Sequence, residues 1–544
     1  MSWVRASESS RPTDAGSSHH VTFSNLRKRL DVGLVLAVVL TVFAFAPLLH
    51  PDFFQSHSGF LSVFNLFDLE SNLWSDWGWA PTVGRGFDLL RGEGPLPYVL
   101  AEFFRWCGLG GVQAIKAVYV LGFIASGLGV YVLGKRLYGP QAGLVAATVY
   151  VYLPYHLSTV YVRGAFAEAW AFVLYPLILL CWEEYMRKRA PLWAALGVVL
   201  QAALTSVNAG LALLYALFLF AYVLLLGPSL RVKARALLLL AAGLGVGALP
   251  LLPVAMRHGL SVEATGDFAA HFVYPFQLLS AKWGHGASTP DWTDTLPLQL
   301  GLVATGFTLL AAVQSVVSSD AEVALRRRTA FFVSAAAILA LSMLHPAWGF
   351  WRVSRLSVLL RYPWQVLAFA GLAMSLASAG LVGLVRQLAR FQWQAVLISL
   401  VVLGSYNYLT PRFTEAQVGG APVAILGEEV ALLTYQREGP LLHGATLRLT
   451  LHWQSLASME TDYTVFVHVV DQEDTIWGQR DAMPLDGERP TTSWELGEII
   501  EDTYEVKIDV DGPREGYFVH VGMYAPGTGE RLPVSRGGTV VILE

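Results

Sequence analysis

Long apolar runs constrain this chain more than any other feature. They begin near Val32, Ala114, Gln141, Phe166, Leu192, Ala209, Ala234, Leu296, Thr329, Pro363 and Trp393. A run of about 20 apolar residues closes its backbone hydrogen bonds as a helix when it spans a bilayer, and it has no comparable home in water. The expected fold class is therefore a polytopic α-helical membrane protein with about eleven transmembrane helices. Composition agrees, with 54% hydrophobic and 14% charged residues against roughly 25% charged in soluble proteins. A formal net charge of -4 provides no basic footprint for nucleic acid, and that partner class is excluded. Two cysteines, Cys107 and Cys181, cannot build a disulfide framework and are expected to be free thiols.

Charge sorts the loops. Residues 1–24 lack apolar periodicity and read as a disordered cytoplasmic tail. Arg27-Lys-Arg29 precedes the first run, which reads as an anchor helix rather than a signal peptide because no small-residue cleavage site follows. Lys135-Arg136, Arg187-Lys-Arg189, Arg231 with Lys233 and Arg235, Arg326-Arg-Arg328, and Arg386 with Arg390 then fall on one side, the cytoplasmic one by the positive-inside bias. An odd number of spans puts the C-terminus outside.

The helical domain is expected over 25–410, with two large outer loops at 50–113 and 255–295. Long loops of this kind are usually functional. The first carries Asp52, Asp68, Glu70, Asp76 and Asp88; the second carries Asp267, His271, His285, Asp291 and Asp294. After Tyr408 apolar residues begin to alternate between turn signals, predicting strands over 446–453, 463–470, 504–510, 517–524 and 539–543. Residues 411–544 thus read as an extracytoplasmic all-β sandwich. Its Trp453, Trp477 and Trp494 read as core or, alternatively, as a glycan-stacking platform.

The sharpest local pattern is Tyr161-Val-Arg-Gly-Ala-Phe-Ala-Glu168, at the outer junction of the third and fourth spans. Two readings stand open. Arg163 and Glu168 form an interfacial ion pair, or Arg163 holds a phosphate bidentately while Glu168 orients it. Arg361-Tyr-Pro-Trp-Gln365 opens the tenth span, where proline suits the first helical turn and Trp364 an interfacial anchor; alternatively, the outer arginines Arg352, Arg355 and Arg361 suit an anionic headgroup or pyrophosphate. The His and Asp residues of the second loop match no strong ligand spacing, so no metal is expected. No nucleotide fingerprint follows a strand.

Several of these pieces, in this order, resemble a known family. They are His57-Ser-Gly-Phe-Leu, Trp79-Ala-Pro, Pro95-Leu-Pro-Tyr98, Tyr152-Leu-Pro-Tyr155, Tyr161-Val-Arg-Gly-Ala, Glu168, Pro176-Leu and Tyr362-Pro-Trp364. The chain resembles the bacterial membrane family labelled 6-pyruvoyl-tetrahydropterin synthase-related, which is similar to the GT-C membrane glycosyltransferases. Leu451-His-Trp453, Thr464-Val-Phe-Val-His468, Pro490-Thr-Thr-Ser-Trp494, Gly497-Glu498 and Thr528-Gly-Glu-Arg-Leu-Pro533 resemble the β-sandwich appended to many such proteins.

The resemblance implies an enzyme of the bacterial plasma membrane that moves a sugar from a polyprenyl-phosphate donor to an envelope acceptor on the outer face. It needs no further cofactor. Its partners would be membrane lipids, the lipid-linked sugar, glycan at the sandwich and envelope proteins. The carboxylate role falls to Asp68 or Glu70; His57, Arg163, Glu168, Arg361 and Asn208 would bind substrate. The departures concern polar chemistry. Ser58, Ser62 and Asn65 stand where the family pattern has an Asp, a His and an Arg, Val207 precedes Asn208 where a His is common, and Gln365 replaces an Arg. A neutral serine hydroxyl is no carboxylate base. The alternative is a catalytically degenerate GT-C-fold scaffold or binding subunit of an envelope complex. A transporter would require repeated halves with broken helices and ionisable groups at mid-membrane, which the sequence lacks.

Overall fold

The computed structural model describes residues 31–59, 61–63, 65–66, 96–249, 268–286, 288–290, 292–318, 321–414, 422–495, 497–535 and 537–543. The expected tail at 1–24 and Asp68, Glu70, Asp76, Asp88, Asp267 and Asp291 lie outside these. The helices are α1 (Val32–Phe45), α2 (Leu96–Trp106), α3 (Gly111–Tyr138), α4 (Pro140–Val151), α5 (Pro154–Tyr161), α6 (Phe166–Lys188), α7 (Pro191–Val207) and α8 (Ala209–Leu226). They continue with α9 (Leu230–Ala248), α10 (Pro275–Leu279), α11 (Leu302–Val317), α12 (Val323–Ser342), α13 (Trp348–Ser354), α14 (Leu367–Leu384) and α15 (Phe391–Gly404).

A helix lies over each of the eleven apolar runs. Among the described residues five segments are long and apolar enough to cross a membrane: Val32–Leu49, Gly111–Tyr138, Phe166–Lys188, Ala209–Leu226 and Pro363–Leu384. Three apolar helices, α7, α11 and α15, are shorter. The chain is thus an integral membrane protein.

Local chemistry explains where the helices stop. Asp31 caps α1, accepting from the Gly33 amide at 3.1 Å, and its carboxylate also takes Tyr131 Oη at 2.9 Å and Lys135 Nζ at 2.6 Å, fastening α1 to α3. The third run, expected to continue unbroken to Tyr161, splits because Leu153 precedes Pro154 and is pushed out of the helical region. The run from Leu296 becomes helical only at Leu302, after Pro297 and a left-handed Gly301. Helices α3 and α4 approach so closely that a Cβ at Gly143 would lie 2.6 Å from the Tyr131 carbonyl oxygen.

Helix α14 is buried along nearly its whole length, packed by α4, α11 and α12. At the C-terminal end of α6 two buried glutamates gather cations. Glu184 is 4% exposed and accepts from Arg136, from Arg187 at 2.8 Å and from Lys188 at 2.7 Å; Glu183 holds Arg328 at 2.9 Å and Tyr222 Oη at 2.8 Å. Glu184→Ala should therefore lower stability by about 1–3 kcal/mol, discounted because its partners are partly solvated. Thermal unfolding in detergent, with Glu184→Gln as the milder control, checks this. Equal midpoints for Glu184→Ala and the parent chain would remove the cluster's structural role.

The C-terminal region is all-β among its described residues. One antiparallel sheet has the order β3 (Ala424–Leu426), β4 (Val430–Glu438), β5 (Thr446–Ser455), β8 (Ile499–Lys507); the other runs β10 (Val541–Leu543), β9 (Phe518–Tyr524), β6 (Thr464–Val470), β7 (Ile476–Ala482). Leu432, Leu449, Leu451, Trp453, Val465, Val467, Val519 and Val521 fill the space between them. The first sheet also reaches the helical core through Ile425 and Ala431. A two-stranded clip, β1 (Phe53–Phe54) with β2 (Phe413–Thr414), ties the first long loop to the end of the helical region. Cys107 and Cys181 are free thiols.

Candidate functional site

The turn between α5 and α6 is built to present Arg163. Gly164 adopts φ +61° and lies so close to Gly59 that a Cβ would meet the Gly59 amide nitrogen at 2.6 Å. The first long loop is stitched to this turn. His57 and Ser58 amides donate to the Val162 and Arg163 carbonyls at 2.9 and 3.0 Å, and Ser58 Oγ donates to the Arg163 and Gly164 carbonyls at 2.9 and 3.2 Å. Tyr119 Oη donates to the Gly164 carbonyl at 2.9 Å.

Arg163 and Glu168 are brought together. The guanidinium donates to Glu168 Oε2 at 2.7 Å and to Tyr155 Oη at 3.0 Å, while Tyr155 passes its own proton to Glu168 Oε1 at 2.6 Å. Trp364 covers the guanidinium face at 4.8 Å. Both partners are largely withdrawn from solvent, with side-chain exposures of 14% and 7%. Arginine has five N–H donors and two are used here, which leaves three without a partner among the described residues. Tyr155, part of the Tyr152-Leu-Pro-Tyr155 motif, was given no site role from sequence, although its place two helical turns before Arg163 was available as a signal.

From Trp364 the polar contacts continue into the second long loop. Its indole donates to Ser288 Oγ at 3.1 Å, and Ser288 donates its single hydroxyl proton to Asp294 Oδ2 at 3.0 Å. His271 Nδ1, 3.0 Å from the same hydroxyl, must then be the protonated nitrogen. Nothing in the sequence around Ser288 marked it.

His57 sits beside this group. Its Nε2 lies 2.9 Å from the His285 carbonyl oxygen, an acceptor only, so Nε2 carries the proton and Nδ1 keeps a lone pair. Burial pushes the ring's pKa below the ordinary histidine value, and the Arg163 charge pushes the same way. His57 is thus held neutral.

The remaining candidates play other parts. Asn208 caps α8, its Oδ1 accepting from the Leu211 amide at 2.9 Å, and hydrogen-bonds no member of the Arg163 group. Arg361 is exposed and lies over Tyr362 at 5.5 Å; Tyr362 stacks on Trp364 at 4.7 Å. Gln365 Oε1 accepts from the Arg361 and Tyr362 amides at 3.0 and 3.1 Å. Asn65 Nδ2 donates to Tyr98 Oη at 3.3 Å. Asp68 and Glu70 lie outside the described residues. Two cavities nearby, one against Tyr155 and one against Gly301, measure about 10 and 20 Å³, room for roughly one water each. No cluster of three potential metal ligands occurs among the described residues.

No family model matches the chain, so the pyruvoyl-tetrahydropterin label has no support beyond the resemblance of motifs. No curated protein matches it either. Among solved structures it is similar to the archaeal oligosaccharyltransferase AglB from Archaeoglobus fulgidus, in complex with an inhibitory peptide and a dolichol-phosphate. That likeness has 12% identity and a TM-score of 0.38, covering 71% of this chain and 56% of that one. ArnT from Cupriavidus metallidurans, bound to undecaprenyl phosphate, has 12% identity and a TM-score of 0.30 over 65% of this chain and 77% of its own. The arabinosyltransferase EmbB from Mycobacterium smegmatis has 12% identity and a TM-score of 0.28 over 94% and 66%. The chain thus spans little more than half the length of AglB. At these scores neither activity nor site residues carry over.

Proposed function

We propose that the chain is a GT-C-like membrane glycosyltransferase that takes a sugar from a polyprenyl-phosphate donor and passes it to an envelope acceptor. The observation that carries this reading is convergence. His57, the Arg163–Glu168–Tyr155 group, the Ser288–Asp294 pair and Trp364 come from four distant segments and meet at one end of the bundle. In this reading eleven crossings put the N-terminus inside, the helical domain over 25–410, and the sandwich over 411–544 outside the bacterial plasma membrane.

The chemistry follows from charge. An acceptor hydroxyl attacks the sugar's anomeric carbon, the bond from that carbon to the phosphate oxygen breaks, and negative charge collects on the departing lipid phosphate. The unused N–H donors of Arg163 stabilise that charge, with Glu168 and Tyr155 fixing the guanidinium and Trp364 flanking it. The acceptor's proton goes to Asp68 or Glu70. His57 and Arg361 contribute binding contacts. Asn208 serves this site only through the start of α8.

A second reading, a degenerate scaffold, is favoured by specific observations. Arg163 is already matched by Glu168, Ser58 and Gln365 are spent on backbone groups, and the cavities against Tyr155 and Gly301 have room for roughly one water each.

Sugar transfer from a radiolabelled polyprenyl-phosphate sugar pool, in membranes carrying the full chain, separates the two. Arg163→Lys keeps the charge but loses the fork, and should cut transfer roughly 100-fold or more, as should Asp68→Asn with Glu70→Gln. No transfer above empty membranes, even after Ser58→Asp, Ser62→His and Asn65→Arg together, would establish the scaffold.

A further inference from the structure

The segment between α12 and α14 places apolar side chains where a soluble protein would place polar ones. Helix α13 packs one face inward: Trp351 is buried, its indole donates to the Ser342 carbonyl at 2.7 Å, and Trp348 and Trp351 rest against Phe268 at 6.3 and 5.3 Å. Its outward face carries Phe350 and Val353, 58% and 86% exposed, and Val358 follows at 52%. A helix apolar on both faces has an apolar solvent outside it.

Three exposed arginines, Arg352, Arg355 and Arg361, rim those side chains. None has an ion-pair partner among the described residues, and Arg361's recorded side-chain contact is with its neighbour Tyr362. The segment brings no counter-charge of its own, since no Asp or Glu lies between Glu322 and Glu415. Exposed apolar side chains together with unmatched guanidiniums are complementary to acyl chains beneath a phosphate layer.

The geometry points to a binding surface for anionic phospholipid headgroups, built by Arg352 and Arg355 around Phe350 and Val353, at the bundle end that holds Arg163. The occupant is bulk lipid rather than the sugar donor because the arginines stand on an open surface. A donor held for chemistry needs enclosure. The surface is continuous with the site through the stacked Tyr362 and Trp364. Its lipid preference is independent of whether the protein transfers sugar.

The test uses the full chain in nanodiscs, with Val353→Cys in a Cys107→Ser background carrying a polarity-sensitive fluorophore. In phosphatidylcholine discs containing a minority of phosphatidylglycerol, the probe should shift to the blue and be quenched preferentially by acyl-brominated phosphatidylglycerol. That preference should fall about fivefold for each arginine removed in Arg352→Gln and Arg355→Gln, fade at high salt, and survive in the paired lysine variants. Unfolding midpoints should stay unchanged, since both side chains are exposed. A water-exposed probe overturns the proposal, as does equal quenching by brominated phosphatidylcholine. Displacement of phosphatidylglycerol by added polyprenyl phosphate, but not by inorganic phosphate, would reassign the surface to the donor and overturn the bulk-lipid occupant.

Discussion

Arg163→Ala should be among the most destabilising single changes in the helical region, costing about 3–5 kcal/mol, and removing Glu168 with it should return most of the loss. The reason is desolvation. Glu168 is 7% exposed on its side chain, and without the guanidinium its carboxylate keeps, among the described residues, the Tyr155 hydroxyl. A buried carboxylate with one neutral donor is far costlier than a buried pair. The expected order of unfolding midpoints is the parent chain, then Arg163→Ala with Glu168→Ala, then Glu168→Ala, then Arg163→Ala, read in detergent on the full chain. The same variants address function. If Arg163→Ala unfolds at the parent temperature yet abolishes transfer, the guanidinium is held for substrate and its contact with Glu168 is worth little. If stability follows the expected order and transfer is absent even from the parent chain, the pair is an interfacial fastening and no more.

That ambiguity was visible in the sequence because both residues lie within one turn and the start of one helix, where spacing alone brings them together. The apolar runs were legible for a similar reason: crossing a bilayer is a property of local composition, and a helix lies over every run. Their ends were less so. The break at Leu153-Pro154 and the late start of α11 depend on Pro and Gly positions inside apolar sequence. In the sandwich, strands with strict alternation such as β5 and β9 were found, whereas β3, β4 and β7 were not. β4 opens with Val430, Ala431 and Leu432 all buried, without period two, and β7 is an edge strand with few apolar residues. Tyr155 lies only eight residues before Arg163, across the turn after α5, whereas Ser288 meets Trp364 76 residues along the chain from within an irregular loop, a pairing that leaves no periodic trace.

The tryptophans of the sandwich allow the second large effect to be stated. Trp453→Ala should cost about 3–5 kcal/mol, the range for deleting a large buried aromatic. Trp453 is fully buried, faces Leu432 and Ile500 across its neighbouring strands, and sits in the core between the sheets. A sugar platform needs its ring in water, so this position is structural. Trp494, 5% exposed with its indole on the Arg489 carbonyl at 2.9 Å, belongs to the same core. Trp477 differs: it is half-buried, packs at the core's edge, and donates to Asp471 at 2.7 Å, so Trp477→Ala should lose about half as much or less. Trp453→Phe adds a finer test. The Trp453 indole nitrogen is buried without a hydrogen-bond partner among the described residues, and phenylalanine removes that unmet donor while sacrificing only part of the volume. Its loss should therefore be well under that of alanine. Protease resistance of the β region in the full chain ranks the variants, and a glycan-binding measurement on each separates core from platform. A Trp453→Ala protein that keeps its protease resistance but loses glycan would show that the ring works at the surface, whereas loss of resistance in the order alanine at 453, alanine at 494, alanine at 477 follows from burial alone.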